Sequence, residues 1–212
     1  MVQTRLSAAP ASKPLIGVVP LSLILLALGL GLGCWLHPTL GQALLYLVFG
    51  CRGCSQIGSN ERNAATSLKT IWTAQNDFRS ADRDQNGLND FWRKDIAGLY
   101  AQFPATDVTR TPIRLIEQSL CLADERPACD ISPYGIASAK SGYWYRALLH
   151  EDEPTPSPDR FAACAFPDHS RAGKWTYILD EKNSLYRKEL ADPRKLDRYP
   201  ADPAKAGWLK LD

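Results

Sequence analysis

Charged residues are missing from a long stretch near the start of the sequence. No Asp, Glu, Lys or Arg occurs between Pro14 and Cys51, although these four types make up 23% of the 212-residue chain. Residues 15–36 form a predominantly apolar segment that, as a helix rising ~1.5 Å per residue, would extend about 33 Å. That length crosses a hydrocarbon core of about 30 Å. We therefore expect a single membrane-spanning helix over 15–36, in contact with lipid.

The residues after this run leave its continuation open. His37 and Pro38 interrupt it, and residues 39–50 are apolar but too few to span alone. A helical extension, a re-entrant piece and an interfacial segment all fit them. A cleaved signal peptide would have a shorter apolar region and a small-residue exit. A lipoprotein signal ending at Cys34 would carry an aliphatic residue where Gly31 stands. An uncleaved anchor is therefore the favoured interpretation.

Several signals of catalysis and of nucleic-acid binding are also absent from the sequence. The net charge of +2 creates no strong field for a nucleic-acid partner. Gly-rich phosphate loops, zinc-protease signatures and nucleophile elbows do not occur. The three histidines, His37, His150 and His169, have no convincing nucleophile partner, and "HEDE" from His150 is typical of a solvated strand end. We expect no enzymatic activity and no nucleic-acid partner.

The six cysteines include one pair that brackets a polar stretch, "CLADERPAC". Its ends, Cys121 and Cys129, favour a local disulfide in an exported domain, and closing that loop would stabilise the fold by roughly 2.5 kcal/mol. Two free buried thiols are the alternative. Basic residues flank the apolar run on both sides, so the positive-inside rule gives no orientation. The disulfide favours a cytoplasmic tail over 1–13 and an exported C-terminal domain.

A second cysteine pair stands in "CRGC", at the end of the apolar region. Cys51 and Cys54 have the spacing of redox sites and of half a zinc site. A histidine does not follow, which argues against covalent haem, and a second C-x-x-C pair is missing. A local disulfide or palmitoylated thiols beside the membrane outweigh catalysis, and a membrane-proximal thiol redox protein stays open as an alternative function.

The residues after the anchor predict one long amphipathic helix over 61–81. Its apolar residues recur at steps of three and four, and Ser59 or Asn60 is suited to cap its start. The stripe consists of Ala64, Ala65, Leu68, Ile71, Trp72 and Phe78. Two shorter helices are expected near 94–101 and 113–122.

The last third of the sequence predicts strands. Four segments rich in aromatic, aliphatic and β-branched residues are separated by short polar breaks; they are residues 142–150, 161–166, 174–180 and 184–190. Short connections favour an antiparallel meander, and the stripe around Trp72 is the obvious cover for its apolar face. The expected fold is α+β, with an amphipathic helix packed on a C-terminal antiparallel meander.

The polar stretch "DRDQNGLNDFW" between helix and sheet has the spacing of a calcium loop. An EF-hand takes oxygens from positions 1, 3, 5, 7, 9 and 12, with glycine at position 6. The matching ligands are Asp82, Asp84, Asn86, the Leu88 carbonyl and Asp90, around Gly87. Arg93 occupies position 12, so Asp95 or water would complete a weak Ca²⁺ site. The alternative is a polar turn at a helix end.

Two long segments, "NERNAATSLKTIWTAQNDFRSADRDQNGLNDFWRKDIAGLY" and "SGYWYRALL…FAACAFP…AGKWTYILDEKNSLYRKEL", resemble a bacterial group with pilin-like globular domains. The order of membrane helix, amphipathic helix and antiparallel meander is similar to that of type IV pilins and the pseudopilins of type II secretion. The resemblance covers residues 60–212. It implies a non-enzymatic protein of the cell envelope, with secretion or pilus-type protein partners.

The chain departs from prepilins at the processing site, because no glutamate occurs between Met1 and Gly58. We therefore expect a pilin-like domain on an ordinary single-pass anchor. The expected organisation is a tail over 1–13, an anchor and juxtamembrane segment over 14–58, and a globular domain over 59–212. A calcium-binding surface module is the other alternative function.

Overall fold

The computed structural model describes residues 38–107, 109–152 and 157–211, with side chains from Gln56 onward. The chain divides into two compact units, Met1–Cys51 and Arg52–Asp212, and the second is described below. The predicted tail over 1–13 and the membrane span over 15–36 lie outside the described residues. In the part of the chain that the structure covers, no helix combines the length and apolar character needed to cross a membrane.

The first element, α1, is a 43-residue helix over Pro38–Ser80. It contains the predicted helix 61–81 and ends one residue earlier, while residues 39–50 take the helical alternative. The predicted caps are wrong, because Ser59 and Asn60 lie inside the helix. Asn60 is buried and donates from Nδ2 to the Ala172 carbonyl at 2.9 Å, so its amide serves a tertiary contact.

The predicted apolar stripe faces the core. Ala64, Leu68 and Ile71 are fully buried, and Phe78 is 1% exposed. Burial of such a stripe removes apolar surface from water and supplies most of a helix's stability in a folded protein. Trp72 lies at the margin, half-buried against the same core.

The sheet has six strands, and four of them form the predicted meander. The strands are β1 Tyr143–His150, β2 Ala162–Pro167, β3 Thr176–Asp180, β4 Leu185–Lys188, β5 Arg198–Tyr199 and β6 Leu209–Lys210. Their order is β5-β1-β2-β3-β4-β6. Neighbours from β1 to β4 are antiparallel, whereas β5 is parallel to β1. The sheet is therefore mixed, which corrects the expectation of a purely antiparallel one.

Both faces of the sheet are covered. Successive strand residues point to opposite sides, so each strand contributes side chains to two cores. Tyr143, Tyr145, Ala163, Ala165, Tyr177 and Leu179 join α1 in one core. On the other face, Cys164, Phe166 and Ile178 pack with Tyr199 and Trp208 of the C-terminal segment. The expectation of a single covering helix was incomplete, because the last 20 or so residues contain few apolar positions to indicate a second cover.

The two short helices are shorter than predicted. α2 is Gly98–Ala101 and α3 is Gln118–Cys121. Residues 113–115 are irregular instead, with Ile113 N donating to the Gln102 carbonyl and Leu115 N to the Leu99 carbonyl, and Arg114 has a φ of +53°. These backbone bonds between two segments take the place of the expected first turn of a helix over 113–122. Single 3₁₀ turns occur at Ser132–Tyr134 and Pro193–Lys195.

Replacement of the half-buried Trp72 by alanine is expected to cost about 2 kcal/mol of unfolding free energy, less than the ~3–5 kcal/mol of a fully buried aromatic residue. The variant loses part of an apolar contact and the 2.9 Å bond from Trp72 Nε1 to the Glu181 carbonyl. Chemical unfolding of the full chain in a mild detergent measures this. Thr73→Ala, on the exposed side of the same turn, is the control. Equal stability of the two variants would contradict the packing.

Candidate functional site

The predicted calcium loop follows directly after the end of α1. The Asp82 carboxylate folds over it, accepting from Asn86 N at 3.1 Å and from Gly87 N at 3.0 Å. Gly87 has a φ of +82°, a left-handed conformation that glycine adopts without steric cost. The polar spacing of the sequence therefore produces a tight loop that wraps around one carboxylate.

Two carboxylate oxygens inside this loop have no hydrogen-bond partner among the described residues. They are Oδ1 of Asp84 and Oδ1 of Asp90, and both atoms are buried. The second Asp84 oxygen accepts from Asn86 Nδ2 at 2.9 Å, and Asn86 Oδ1 accepts from Leu88 N at 2.7 Å. A buried, unsatisfied carboxylate oxygen is costly, and a bound cation would remove that cost.

The negative charges of the loop add to the cost of these unsatisfied oxygens. Burial raises the pKa of the Asp84 carboxyl, the backbone N–H of Asn86 lowers it, and the negative charges of Asp90 and Asp82 raise it further. Like charges held this close favour the neutral form of one of them. The loop therefore carries an excess of negative potential that a cation would relieve.

The structure does not bring Asp95 to this loop, although the sequence suggested it as the completing ligand. Its Oδ1 accepts from Trp92 Nε1 at 2.7 Å and Gly98 N at 2.8 Å, and its Oδ2 from Ala128 N at 2.6 Å. Both oxygens are thus occupied in a different cluster. Within the described ranges, no group of three or more His, Cys, Asp or Glu side chains is arranged to hold a metal ion.

The cluster that does contain Asp95 is a pair of buried carboxylates. Asp124 is 1% exposed, like Asp95; its Oδ2 accepts from Ile96 N at 2.7 Å and Ala97 N at 2.8 Å. Its Oδ1 accepts from Arg126 N at 2.9 Å. Five backbone N–H groups and one indole N–H thus bind the two carboxylates, which join the turn before α2 to the stretch between the two cysteines. We refer to Asp95 and Asp124 as the carboxylate pair.

Burial dominates the electrostatics of this pair. It raises the pKa of Asp124 from an ordinary value of 3.8 to about 6, with the charge of Asp95 acting in the same direction and the backbone N–H donors opposing it. This cluster could not be predicted from the sequence, because some of its six donors lie as many as 33 residues away from the carboxylate that they bind. Asp124 and Asp95 hold the local structure together through these six hydrogen bonds.

Cys121 and Cys129 are free thiols in this structure rather than the predicted disulfide. Cys121 is buried, and burial, the charge of Cys129 and the carboxylate pair raise the pKa of its thiol to about 12. The pKa of the half-buried Cys129 is raised by the same causes. Both sulfurs are therefore protonated at neutral pH, whereas disulfide exchange requires thiolate. The pairing stays a prediction, which the intact mass with and without reduction tests.

Cys51 and Cys54 lie in α1, three residues apart along the helix. This position differs from the segment after a strand where thioredoxin-like pairs occur. Their side chains fall outside the described part of the chain, so their pairing, lipidation or redox role stays a prediction.

A small cavity of about 240 Å³ lies on the outer side of β1. Its lining combines Lys94, Asp95, Arg126, Arg146, Ala147, Leu149 and Asp197. Asp197 accepts from both arginines, at 2.8 Å from Arg126 and 2.9 Å from Arg146. The lining thus holds three cationic and two anionic side chains, and both arginines are already paired with Asp197, so the cavity offers no free cluster of one charge to a ligand.

The prediction for His150 is wrong, because this side chain is 2% exposed and not a solvated strand end. The period of β1 could have shown it: His150 continues the alternation of Trp144, Arg146 and Leu148 on one face of the sheet. His169 is exposed in the turn between β2 and β3, and His37 lies outside the described residues.

Comparison of the chain with protein-family models, with curated proteins and with solved structures finds no match, so the function is argued from its own residues.

Proposed function

We propose that this chain is a non-enzymatic, membrane-anchored protein of pilin-like design that takes part in cell-envelope, secretion or pilus-type assembly. Residues 15–36 anchor it as a single-pass membrane protein, and residues 59–212 are exported. The main support is the packing of α1, whose apolar stripe lies in one core with the meander. This resembles the order of elements in pilins and pseudopilins.

The surface of the globular unit also supports a role in assembly. The outward face of α1 is polar, with Arg62, Thr66, Thr70 and Thr73 exposed. The two edge strands, β5 and β6, have two residues each, which limits uncontrolled pairing of strands between copies. Contacts with partners would therefore be polar and specific rather than extensions of the sheet or of the apolar core.

The topology is tested by adding protease to intact spheroplasts that contain the full chain. Exported residues 59–212 should be cleaved, and cytoplasmic residues 1–13 should be protected. Full protection of the C-terminal domain would overturn the proposed localisation.

The assembly role is tested by photo-crosslinking in native membranes, followed by affinity purification. A benzophenone side chain at Thr70, on the exposed helix face, should capture either further copies of the chain or an envelope partner. The same probe at Lys205, whose side chain is 87% exposed, is the control for random collision. Equal and non-specific capture at both positions would contradict an assembly surface on α1.

We propose calcium binding as a second candidate function, because the buried Oδ1 atoms of Asp84 and Asp90 have no hydrogen-bond partner in the part of the chain that the structure describes. Carboxylate, amide and carbonyl oxygens are the ligands that Ca²⁺ prefers. Asp82, Asp84, Asn86, the Leu88 carbonyl and Asp90 would supply them, and water would replace Arg93 and Asp95. Weak affinity is expected, because the bidentate acid of stronger sites is missing.

Calcium at ~100 times its Kd should stabilise the native full chain by about 2.7 kcal/mol, since it binds only the folded loop. Magnesium should do less, because it demands a tighter octahedron and keeps its waters. Thermal unfolding with chelator, calcium and magnesium measures the effect. Asp84→Ala should remove the calcium response, whereas Asp130→Ala, at an exposed acid outside the loop, should keep it. An unchanged wild-type midpoint would make the loop a polar turn.

A further inference from the structure

His150, the last residue of β1, is enclosed by three polar groups from other segments. Its Nδ1 lies 2.7 Å from Nη2 of Arg160. Its Nε2 lies 3.3 Å from the Phe161 carbonyl and 3.4 Å from Oε2 of Glu181. The ring also contacts the Tyr199 ring, with centroids 4.9 Å apart. A buried histidine thus stands between one cation and one anion.

These contacts determine the protonation of the ring. A guanidinium only donates hydrogen bonds, so Nδ1 must accept from Arg160 and cannot carry a proton. The proton of the neutral ring is therefore on Nε2, which donates to the Phe161 carbonyl. Histidine is the side chain that ordinarily changes charge between pH 5 and 8.

A second proton on the ring would change which neighbouring charged group it binds most favourably. A protonated Nδ1 is a donor and would face the Arg160 guanidinium, which is both a donor and a like charge. Glu181 is the group that gains: its Oε2 is buried without a hydrogen-bond partner among the described residues, and it already lies beside Nε2. Protonation of His150 therefore exchanges Arg160 for Glu181 as its main partner.

The other charged groups around the ring allow this exchange. Asp152 accepts from Arg160 Nη1 at 3.0 Å, and Arg160 Nε lies 3.9 Å from Oε1 of Glu181. Arg160 therefore keeps anionic partners after its Nη2 leaves the ring. Arg198 donates to the His150 carbonyl rather than the ring. On the β5 side, the Tyr199 hydroxyl donates to Asp180 at 3.1 Å. Asp152, Arg198 and the Tyr199 hydroxyl therefore make no hydrogen bond with a ring nitrogen of His150.

Arg160 belongs to a short segment, residues 157–161, that touches the far end of α1. Phe91 N donates to the Pro158 carbonyl at 3.1 Å, and the rings of Phe91 and Phe161 lie 4.9 Å apart. Asp159 forms an ion pair with Arg79. Movement of Arg160 would therefore reach Phe91, which follows the loop over 82–90.

We propose that His150 is a proton-operated switch for segment 157–161. The neutral ring holds Arg160 and keeps the segment against Phe91. The protonated ring pairs with Glu181, releases Arg160 and loosens the segment. The switch acts on a part of the surface next to the loop over 82–90, and it does not depend on cation binding there.

Hydrogen exchange of the full chain in detergent tests the switch, with rates corrected for the effect of pH on intrinsic exchange. Between pH 7.5 and pH 5.0, protection of the Phe91 amide and of segment 157–161 should fall about tenfold, as for loss of one charge-assisted hydrogen bond. His169→Gln, at the exposed histidine, should behave like the wild type. His150→Gln keeps an acceptor and a donor but cannot gain a proton, so its protection should be independent of pH. A pH-dependent loss in His150→Gln would overturn the proposal.

Glu181→Gln tests the second half of the switch in a chain that keeps His150. Removal of the anion disfavours the charged ring, so the midpoint of the protection loss should move to lower pH. In the wild type, that midpoint should coincide with the titration of the His150 ring protons followed by NMR. An unmoved midpoint in Glu181→Gln, or a wild-type midpoint different from the ring titration, would contradict the exchange of partners.

Discussion

Phe78→Ala is expected to lower the free energy of unfolding by about 3–5 kcal/mol, the range for truncation of a buried aromatic residue. Phe78 is 1% exposed, and its ring packs at a tilt against Trp92, with centroids 5.9 Å apart. It lies where α1, the sheet and the stretch before α2 meet in one core. Surrounding groups on three elements cannot all relax into the space, so a cavity remains.

Chemical unfolding of the full chain in a mild detergent, followed by tryptophan fluorescence, measures this loss. Thr66→Ala, on the exposed face of the same helix, should change stability by less than about 0.5 kcal/mol. Phe78→Leu should recover most of the loss, because it refills much of the volume. A loss for Phe78→Ala no larger than that of Thr66→Ala would mean that α1 is not packed on the sheet.

The main elements of this fold could be predicted because each has a strong local period. The stripe of α1 repeats every three or four residues, and residues 143–150 alternate between two faces. The predicted strands agree with β1 to β4 to within about two residues at each end. In both cases the signal is contained in neighbouring residues, which is the information that a single sequence offers.

Elements held by distant partners could not be predicted in this way. β5 has two residues and pairs with β1 across about 50 positions, so it has no period of its own. The start of α1 was misplaced because Ser59 and Asn60 have the composition of a cap, whereas Asn60 bonds a carbonyl 112 positions away. Composition alone does not distinguish these two uses of an asparagine side chain.

In the candidate site, too, contacts between sequence neighbours could be predicted and contacts with distant residues could not. The spacing around Gly87 correctly indicated a compact polar loop, since Asp82 bonds residues only four and five positions on. The contribution of Asp95 failed, because Trp92, Gly98 and Ala128 compete for its oxygens. Whether an acid ligates a cation or binds backbone N–H groups depends on donors that its own sequence neighbourhood does not reveal.

Asp124 should contribute a pH dependence of stability opposite in sign to the one that paired surface carboxylates contribute. Burial raises the pKa of Asp124 to about 6, from 3.8 in an exposed setting. Between these values the native state binds a proton that the unfolded state has released, so stability falls as pH rises through the window. Two pKa units correspond to about 3 kcal/mol. Above pH 6 this group should contribute no further change.

Other carboxyls with shifted pKa values contribute mainly below or near the lower edge of this pH window. Hydrogen bonds lower the pKa values of exposed Asp107, Asp130 and Asp202, and a bond from Arg160 lowers that of Asp152. Groups with lowered values titrate below 3.8 and stabilise the native state as pH rises there. The pKa values of Glu117 and Glu181 are lowered from 4.5, and the proposed His150 switch acts in the same pH range. The difference between the wild type and an Asp124 variant therefore isolates Asp124, whereas the wild-type curve alone does not.

Asp124→Asn should abolish most of this pH dependence, because the amide cannot ionise. Its oxygen still accepts from Ile96 N and Ala97 N, whereas its NH₂ group faces Arg126 N and loses one hydrogen bond, a cost of about 1 kcal/mol at every pH. Between pH 4.5 and 7.5, Asp124 should lower the unfolding free energy of the wild type by about 2 kcal/mol, and this contribution should be missing from the variant. Asp130→Asn, at an exposed acid nearby in the sequence, should retain the wild-type difference. An Asp124→Asn variant whose stability changes between pH 4.5 and 7.5 as much as that of the wild type would show that Asp124 ionises normally in the folded protein and that its three N–H donors offset its burial.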